Sequence, residues 1–229
     1  MLLTILCGLM ASSGCKLDIP EDENPTFYLL KKTWPGKSTM SRKQLLLSLA
    51  SEDADLRRLG VMQLGEKQFA NFETTPELLA SVALTDNDAL VRATAVQTLS
   101  PFHDYPDIIN VYKKTADDES PLVRQTTMEE LRLFRSHKET LSILVERIEE
   151  DLEPDVRGPA AENLGFYRDR NALNALLVGL GDDDFQVSYL SKQSLQRLTG
   201  QDFGYDGQLW RQWIEEQNEP FAIFAGEYD

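Results

Sequence analysis

The chain has 229 residues, enough for one domain with a sizeable core, and an apolar fraction ordinary for a globular protein. Its 38 acidic residues outnumber its 23 basic ones, for a net charge of −15, and no basic stripe offsets that field, so a phosphate backbone is an unsuitable ligand. The two cysteines, Cys7 and Cys15, both fall near the N-terminus, which excludes a disulfide framework and a thiolate metal site from the rest of the chain.

The N-terminus reads as an address. Residues 2–10 are almost wholly apolar, too few to span a membrane and of the right length for the hydrophobic region of a signal peptide. Small residues follow, then Cys15. The run "ASSGC" resembles the lipobox of bacterial lipoproteins, although Ser12 stands where that family usually has leucine and no cation precedes the apolar run. The resemblance implies a signal over 1–14 that is cut before Cys15, and a Cys15 sulfur carrying diacylglycerol. Two or three acyl chains, at about 0.8 kcal/mol per buried methylene, anchor durably. Lys16 follows the cysteine in place of the aspartate that retains enteric lipoproteins in the inner membrane, so the resemblance implies the outer membrane, facing the periplasm. Residues 15–40 then read as the lipidated cysteine and a flexible tether, interrupted by Pro20, Pro25 and Pro35. "FYLLKKTW" within it is apolar enough to lie on the first helix or on the membrane.

From residue 41 the sequence repeats. The segments "DLRRLGVMQLG", "ALVRATAVQTL", "PLVRQTTMEEL", "PDVRGPAAENL" and "FQVSYLSKQSL" align on Arg57, Arg92, Arg124, Arg157 and Ser188, in steps of 35, 32, 33 and 31 residues. A leucine follows each anchor seven positions on: Leu64, Leu99, Leu131, Leu164 and Leu195. An apolar residue before the anchor, a small or medium residue three or four after it and this leucine make one helical stripe. Each segment is preceded by a second amphipathic run, such as "KETLSILVERIE" or "NALNALLVGL", and no alternating strand pattern competes. The unit is helix, turn, helix. Pro76, Pro106 and Pro121 fall near helix starts, where a missing N–H costs little, whereas Pro159 lies inside a predicted helix and is expected to kink it.

These segments resemble HEAT repeats, specifically the short bacterial type of the phycobilisome lyases, over residues 41–200. The implied fold is all-α: an α-solenoid of about five HEAT-like helix-turn-helix repeats. The resemblance also implies an aspartate–arginine ladder between neighbouring repeats, with Asp86, Asp118, Asp151 and Asp182 six residues before the anchors and Arg92, Arg124 and Arg157 on the second helices. Ser51 replaces the first aspartate and Ser188 the last arginine, where stacking partners run out. The remaining acidic clusters read as helix caps and ladder partners.

Nothing in the chain forms a recognisable catalytic constellation. His103 and His137 occupy different places in the repeat, and there is no G-x-S-x-G, phosphate-cradling glycine loop or H-E-x-x-H. The expectation is no catalysis, no cofactor and no metal. Function falls instead to the concave face that second helices line in HEAT arrays. The position five after each anchor is expected to face outward there: Met62, Gln97, Glu129, Glu162 and Gln193, with Gln63, Thr98, Glu130, Asn163 and Ser194 as a second polar row beside it. Such a groove suits a protein partner. The leading expectation is a lipid-anchored envelope scaffold or adaptor, touching the membrane through its N-terminus and binding no nucleic acid. The alternative, from the lyase resemblance, is a bilin-lyase-like or other enzyme-associated maturation factor.

The last predicted element lies in residues 201–229. "TGQDFGYDGQLWRQW" fails as a calcium loop, since Trp213 stands where the bidentate glutamate belongs. Gly200 is placed to end the fifth second helix, Asp206 to cap a final helix, and Leu209, Trp210, Trp213 and Ile214 to bury one stripe of it against repeat five. The expectation is a C-terminal cap. "FAIFAGEYD" is left without a reading.

Overall fold

The structure is a computed structural model of the chain and describes residues 41–66, 74–217 and 220–221. Cys15, the tether, "FYLLKKTW" and residues 222–229 of the tail lie outside the described residues. The described residues are all-α, with no strand among them, and they form the helical hairpins of the α-solenoid class.

The helices divide into two compact units at Tyr105 and Pro106. The first holds α1 (Arg42–Leu49), α2 (Ala54–Leu64), α3 (Thr75–Thr85) and α4 (Ala89–Leu99). Here α1 pairs with α2, α3 with α4, and the two second helices α2 and α4 lie side by side. The second unit holds α5 (Ile108–Thr115), α6 (Pro121–Glu130) continued by a 3-10 turn at Leu131–Leu133, α7 (Lys138–Glu150), α8 (Pro154–Leu164), α9 (Arg170–Leu180), α10 (Phe185–Thr199) and α11 (Gly207–Glu216). Second helices α6, α8 and α10 pack in a row, and first helices α5, α7 and α9 pack in another.

The helix starts explain most of the acidic clusters. Asp53, Asp88, Asp169, Asp184 and Asp206 each accept a hydrogen bond from a first-turn amide of the helix they precede, which satisfies donors with no partner inside the helix. Ser41 and Gln44 form a capping box at α1. Gly200 ends α10 at φ 71°, the left-handed conformation that a β-carbon disfavours. Pro121 and Pro154 open α6 and α8. Helix α8 runs through Pro159 as one assigned helix.

The repeat pattern becomes core. The leucines seven after the anchors, Leu64, Leu99, Leu131, Leu164 and Leu195, are all buried, as are the apolar residues just before the anchors, such as Val91, Val123, Val156 and Val187. Small residues bring the second helices together. Gly165 ends α8 in an ordinary helical conformation, so its value lies in space and not in φ. A β-carbon there would meet the Ser194 Oγ at 2.5 Å, its Cβ at 2.7 Å and the Arg197 guanidinium at 2.8 Å. Ser194 cannot swing away freely, because its hydroxyl donates to the Ala161 carbonyl at 2.8 Å. Gly165→Ala is therefore expected to cost about 1–3 kcal/mol of overpacking, measured by chemical denaturation. A change within about 0.5 kcal/mol, the range of neutral surface substitutions, would show that α8 and α10 are free to separate.

Candidate interaction surface

Three surfaces emerge from this stacking: the turns inside each repeat, the outward faces of the second helices, and the loops between repeats.

The turns inside each repeat hold the aspartate–arginine pairs. Arg57 grips Asp86 in a bidentate pair, Nε to Oδ2 and Nη2 to Oδ1, both at 2.8 Å. Arg124 grips Asp151 in the same way at 2.7 and 2.9 Å, and Arg157 grips Asp182 at 2.6 and 2.8 Å. Each arginine thus reaches the aspartate of the following repeat. Its third nitrogen turns back to its own repeat: Nη1 donates to the carbonyl six residues earlier, at Ser51, Asp86, Asp118 and Asp151 for Arg57, Arg92, Arg124 and Arg157. Arg92 is buried, and Asp118 holds its turn by accepting the Ser120 amide. The aspartates serve the turn as well, since Asp86, Asp151 and Asp182 each accept the amide two residues on. Ser51 fills the first position through its backbone carbonyl, which accepts from Arg57. Ser188 at the last position donates to the Phe185 carbonyl instead.

Electrostatics follow geometry. Burial is the largest influence on Asp151 and Asp182 and would raise them. The arginine hydrogen bond, the turn amide and the nearby positive charge together outweigh it, and both carboxyls titrate below the usual carboxylate range. Sequence reasoning missed one further link. Arg147 on α7 donates to the Ala116 carbonyl and pairs with Asp117 of the preceding turn at 3.3 Å.

The outward faces of the second helices carry the row five after each anchor. Met62 and Gln97 are exposed in the first unit, Glu129 and Glu162 in the second, while Gln193 is half-buried and donates to the Tyr189 hydroxyl. The second polar row is a different matter, and there the expectation fails. Glu130, Asn163 and Ser194 are buried. Packing of second helices side by side turns the position six after the anchor toward the preceding helix. Asn163 donates to the Met128 carbonyl and Ser194 to the Ala161 carbonyl, each reaching one repeat back to the position four after that repeat's anchor. The row is an inter-repeat seam and not a groove wall.

The cap also differs in detail. Helix α11 packs against α9, the first helix of repeat five. Trp210 and Ile214 are buried on it, Trp213 is half-buried and Leu209 is 49% exposed. One helix is the main neighbour of α11 and covers a narrow stripe, so the flanking positions 209 and 213 stay partly wet. Arg170 at the start of α9 donates to the Gln217 carbonyl at 2.6 Å and ties the two helices. Meanwhile the far side of α10 keeps Phe185, 72% exposed, stacked on Tyr189 at 6.0 Å.

The loops between repeats hold a cluster absent from the sequence reading. Phe166, just beyond α8, lies under two guanidiniums, with Arg135 at 3.6 Å and Arg197 at 4.3 Å from its ring centre. Both guanidiniums lie within cation–π range of the one ring. The three residues come from different repeats, at steps of 31 and 31 positions. Phe166 and Arg197 both fall nine positions after their anchors, Arg197 still within α10, but the residue type at that position changes from copy to copy and gives no recurring signal.

These stacked hairpins with a turn-borne ion-pair ladder define a helical-repeat protein. The pattern of HEAT repeats matches residues 43–132, 76–165 and 109–196, and the chain belongs to the HEAT-repeat family. Among solved structures it is similar to the X-ray structure of the Escherichia coli protein YibA, at 21% identity and a TM-score of 0.59, covering 77% of this chain and 67% of that one. That likeness is one of fold. No protein of curated function matches the chain significantly.

Proposed function

We propose that the chain is a lipid-anchored adaptor of the bacterial envelope that binds a protein partner along the outward faces of its second helices and catalyses no reaction itself. The observation that carries the binding half is the exposure of polar side chains at one repeating position, Glu129 and Glu162 in the second unit and Gln97 in the first, on a family of folds that commonly binds proteins through extended faces. The position six after the anchor is committed to packing in the second unit, whereas Glu129 accepts only from Gln125 of its own helix and Glu129 and Glu162 stay exposed. The anchoring half rests on the "ASSGC" run and Cys15.

Photo-crosslinkers at positions 129 and 162 are expected to give discrete protein adducts in intact cells, with crosslinkers at exposed Glu77 and Asp155 giving none. Equal adducts from both sets would remove the binding reading. For the anchor, wild-type protein is expected in the membrane fraction and Cys15→Ser in the soluble fraction. A Cys15→Ser protein that still sediments with membranes would end that reading without touching the first.

A further inference from the structure

The intra-repeat turns of the second unit and the loop that follows its first repeat carry opposite charge. The turns hold Asp117, Asp118 and Glu119, then Asp151 and Glu153, then Asp182, Asp183 and Asp184. The loop from Leu131 to Lys138 holds Arg132, Arg135 and Lys138 with no carboxylate, and Arg197 shares the ring of Phe166 with Arg135. In a chain with 38 acidic residues against 23 basic ones, a carboxylate to neutralise these arginines was easily come by. None is there. Among the described residues Arg132 and Arg135 make no hydrogen bond or ion pair, and Arg197 makes only a long contact of 3.5 Å with the Glu162 carbonyl. Arg135 is held below its ordinary range first by burial and then, against the opposing pull of Tyr167, by the charges of Arg197 and Arg132.

Stacking explains how the cluster persists. Arg135 and Arg197 place their weakly hydrated faces on the ring of Phe166, which removes apolar area from water and fixes both side chains. It leaves most of the N–H donors unused, Arg197 keeping only its long contact with the Glu162 carbonyl. A guanidinium edge is a fork whose geometry matches a carboxylate. Two such forks, fixed in advance, have already lost the rotamer freedom that binding would otherwise cost. Beside them Phe166 itself is 40% exposed and Leu133 is 43% exposed, so the patch has apolar surface as well as charge.

We propose that Arg135, Phe166 and Arg197, flanked by Arg132 and Leu133, form a docking site for an acidic segment of a partner protein. Aspartate or glutamate side chains of that segment take the guanidinium edges, and an apolar side chain beside them takes Leu133 and the open rim of Phe166. Charge complementarity selects this occupant. A broad anionic surface, such as a membrane or a nucleic acid, would bring its field against the whole net charge of −15, whereas a short peptide meets only the basic cluster. The proposal rests on the reading of the chain as an interaction scaffold and names a second contact surface, distinct from the row of Glu129 and Glu162.

The test uses the full chain and a fluorescent glutamate-rich peptide with two leucines, followed by anisotropy. Saturable binding that weakens with salt is expected. Arg135→Gln with Arg197→Gln is expected to lower affinity about tenfold or more for each guanidinium removed, with helicity unchanged. Arg132→Gln, which disturbs no stacked ring, is expected to lower it several-fold and guards against a folding artefact. Lys114→Gln, remote from the cluster, serves as control. Binding that survives the double substitution overturns the proposal, and so does failure of the wild-type chain to bind. Phosphatidylglycerol vesicles that displace the peptide would assign the patch to lipid and overturn it equally. Glu129→Gln, in the outward row and on another helix from Arg197, should leave peptide binding unchanged, so loss of the outward-row reading and loss of this one are separate results.

Discussion

Arg124→Met is expected to destabilise the chain by about 3 kcal/mol at neutral pH, and the deficit is expected to shrink on acidification. Asp151, its partner, has a side chain only 1% exposed. Removing the guanidinium leaves the carboxylate with the Glu153 amide and a distant Arg147 at 3.9 Å, which is poor compensation for a charge held out of water. In the wild-type chain the Asp151 carboxyl titrates below its usual range: burial would raise it, but the Arg124 hydrogen bond, the Glu153 amide and the charges of Arg124 and Arg147 together outweigh burial. A depressed folded value means that its contribution is fully present above the unfolded carboxylate range, about pH 4, and is lost as pH falls through the folded value. In the variant the largest opposing influence, burial, is no longer outweighed by Arg124, so the carboxyl rises. The variant then takes up its proton earlier and loses its unpaired charge. Denaturation of both proteins from pH 7 down to about pH 4 should show the gap closing. A gap constant across that range would mean that Arg124 acts through packing alone. Asp182 gives an independent check, since its carboxyl is depressed for the same reasons by Arg157.

What the sequence made legible follows the repeat. Position-specific demands that recur in register, such as Leu131 and Leu164 or the Asp86, Asp151 and Asp182 turns, read clearly because each copy corroborates the others. The direction of the ladder was less legible: the anchors match aspartates of their own repeat in sequence, while in space Arg57, Arg124 and Arg157 reach forward to the next. The second row misled because a helical wheel gives the angle between two positions and not the place of the neighbouring helix. Asn163 and Ser194 lie one step from the exposed row, and that step of about 100° carries them under the preceding second helix of their unit. The Arg135–Phe166–Arg197 stack was invisible for a different reason. Phe166 and Arg197 share the position nine after their anchors, but that position reads Glu66, Pro101, Leu133, Phe166 and Arg197 in successive copies, so no recurring residue marks it. Leu209 and Trp213 were over-read as buried because amphipathicity says which side is apolar and not how wide its partner is.

That width decides where the cap draws its stability, and Trp210→Ala is expected to cost about 3–5 kcal/mol. Trp210 has no exposed surface. Its ring meets the edge of Phe203 at 5.0 Å, and its Nε1 donates to the Gly204 carbonyl at 2.9 Å. Gly204 sits at φ 57°, a conformation that favours glycine, so this one indole holds both the packing of α11 and the turn that leads into it. Truncation to alanine would open a cavity against α9 and leave the Gly204 carbonyl without its donor. In a repeat array stability is a sum of repeat and nearest-neighbour terms, so the loss should appear as early unfolding of the C-terminal end. Hydrogen exchange is expected to show α11 and α9 losing protection while α6 keeps its own. Trp213→Ala, at a half-buried position, is expected to cost less, about 1–2 kcal/mol, because much of that ring is already in water. Trp210→Phe separates the two roles of the indole, keeping most of the ring contact with Phe203 while removing the donor to Gly204. Equal losses for Trp210→Ala and Trp213→Ala would contradict the narrow contact with α9, and an unchanged melting temperature for Trp210→Ala would show that α11 does not close the array at all.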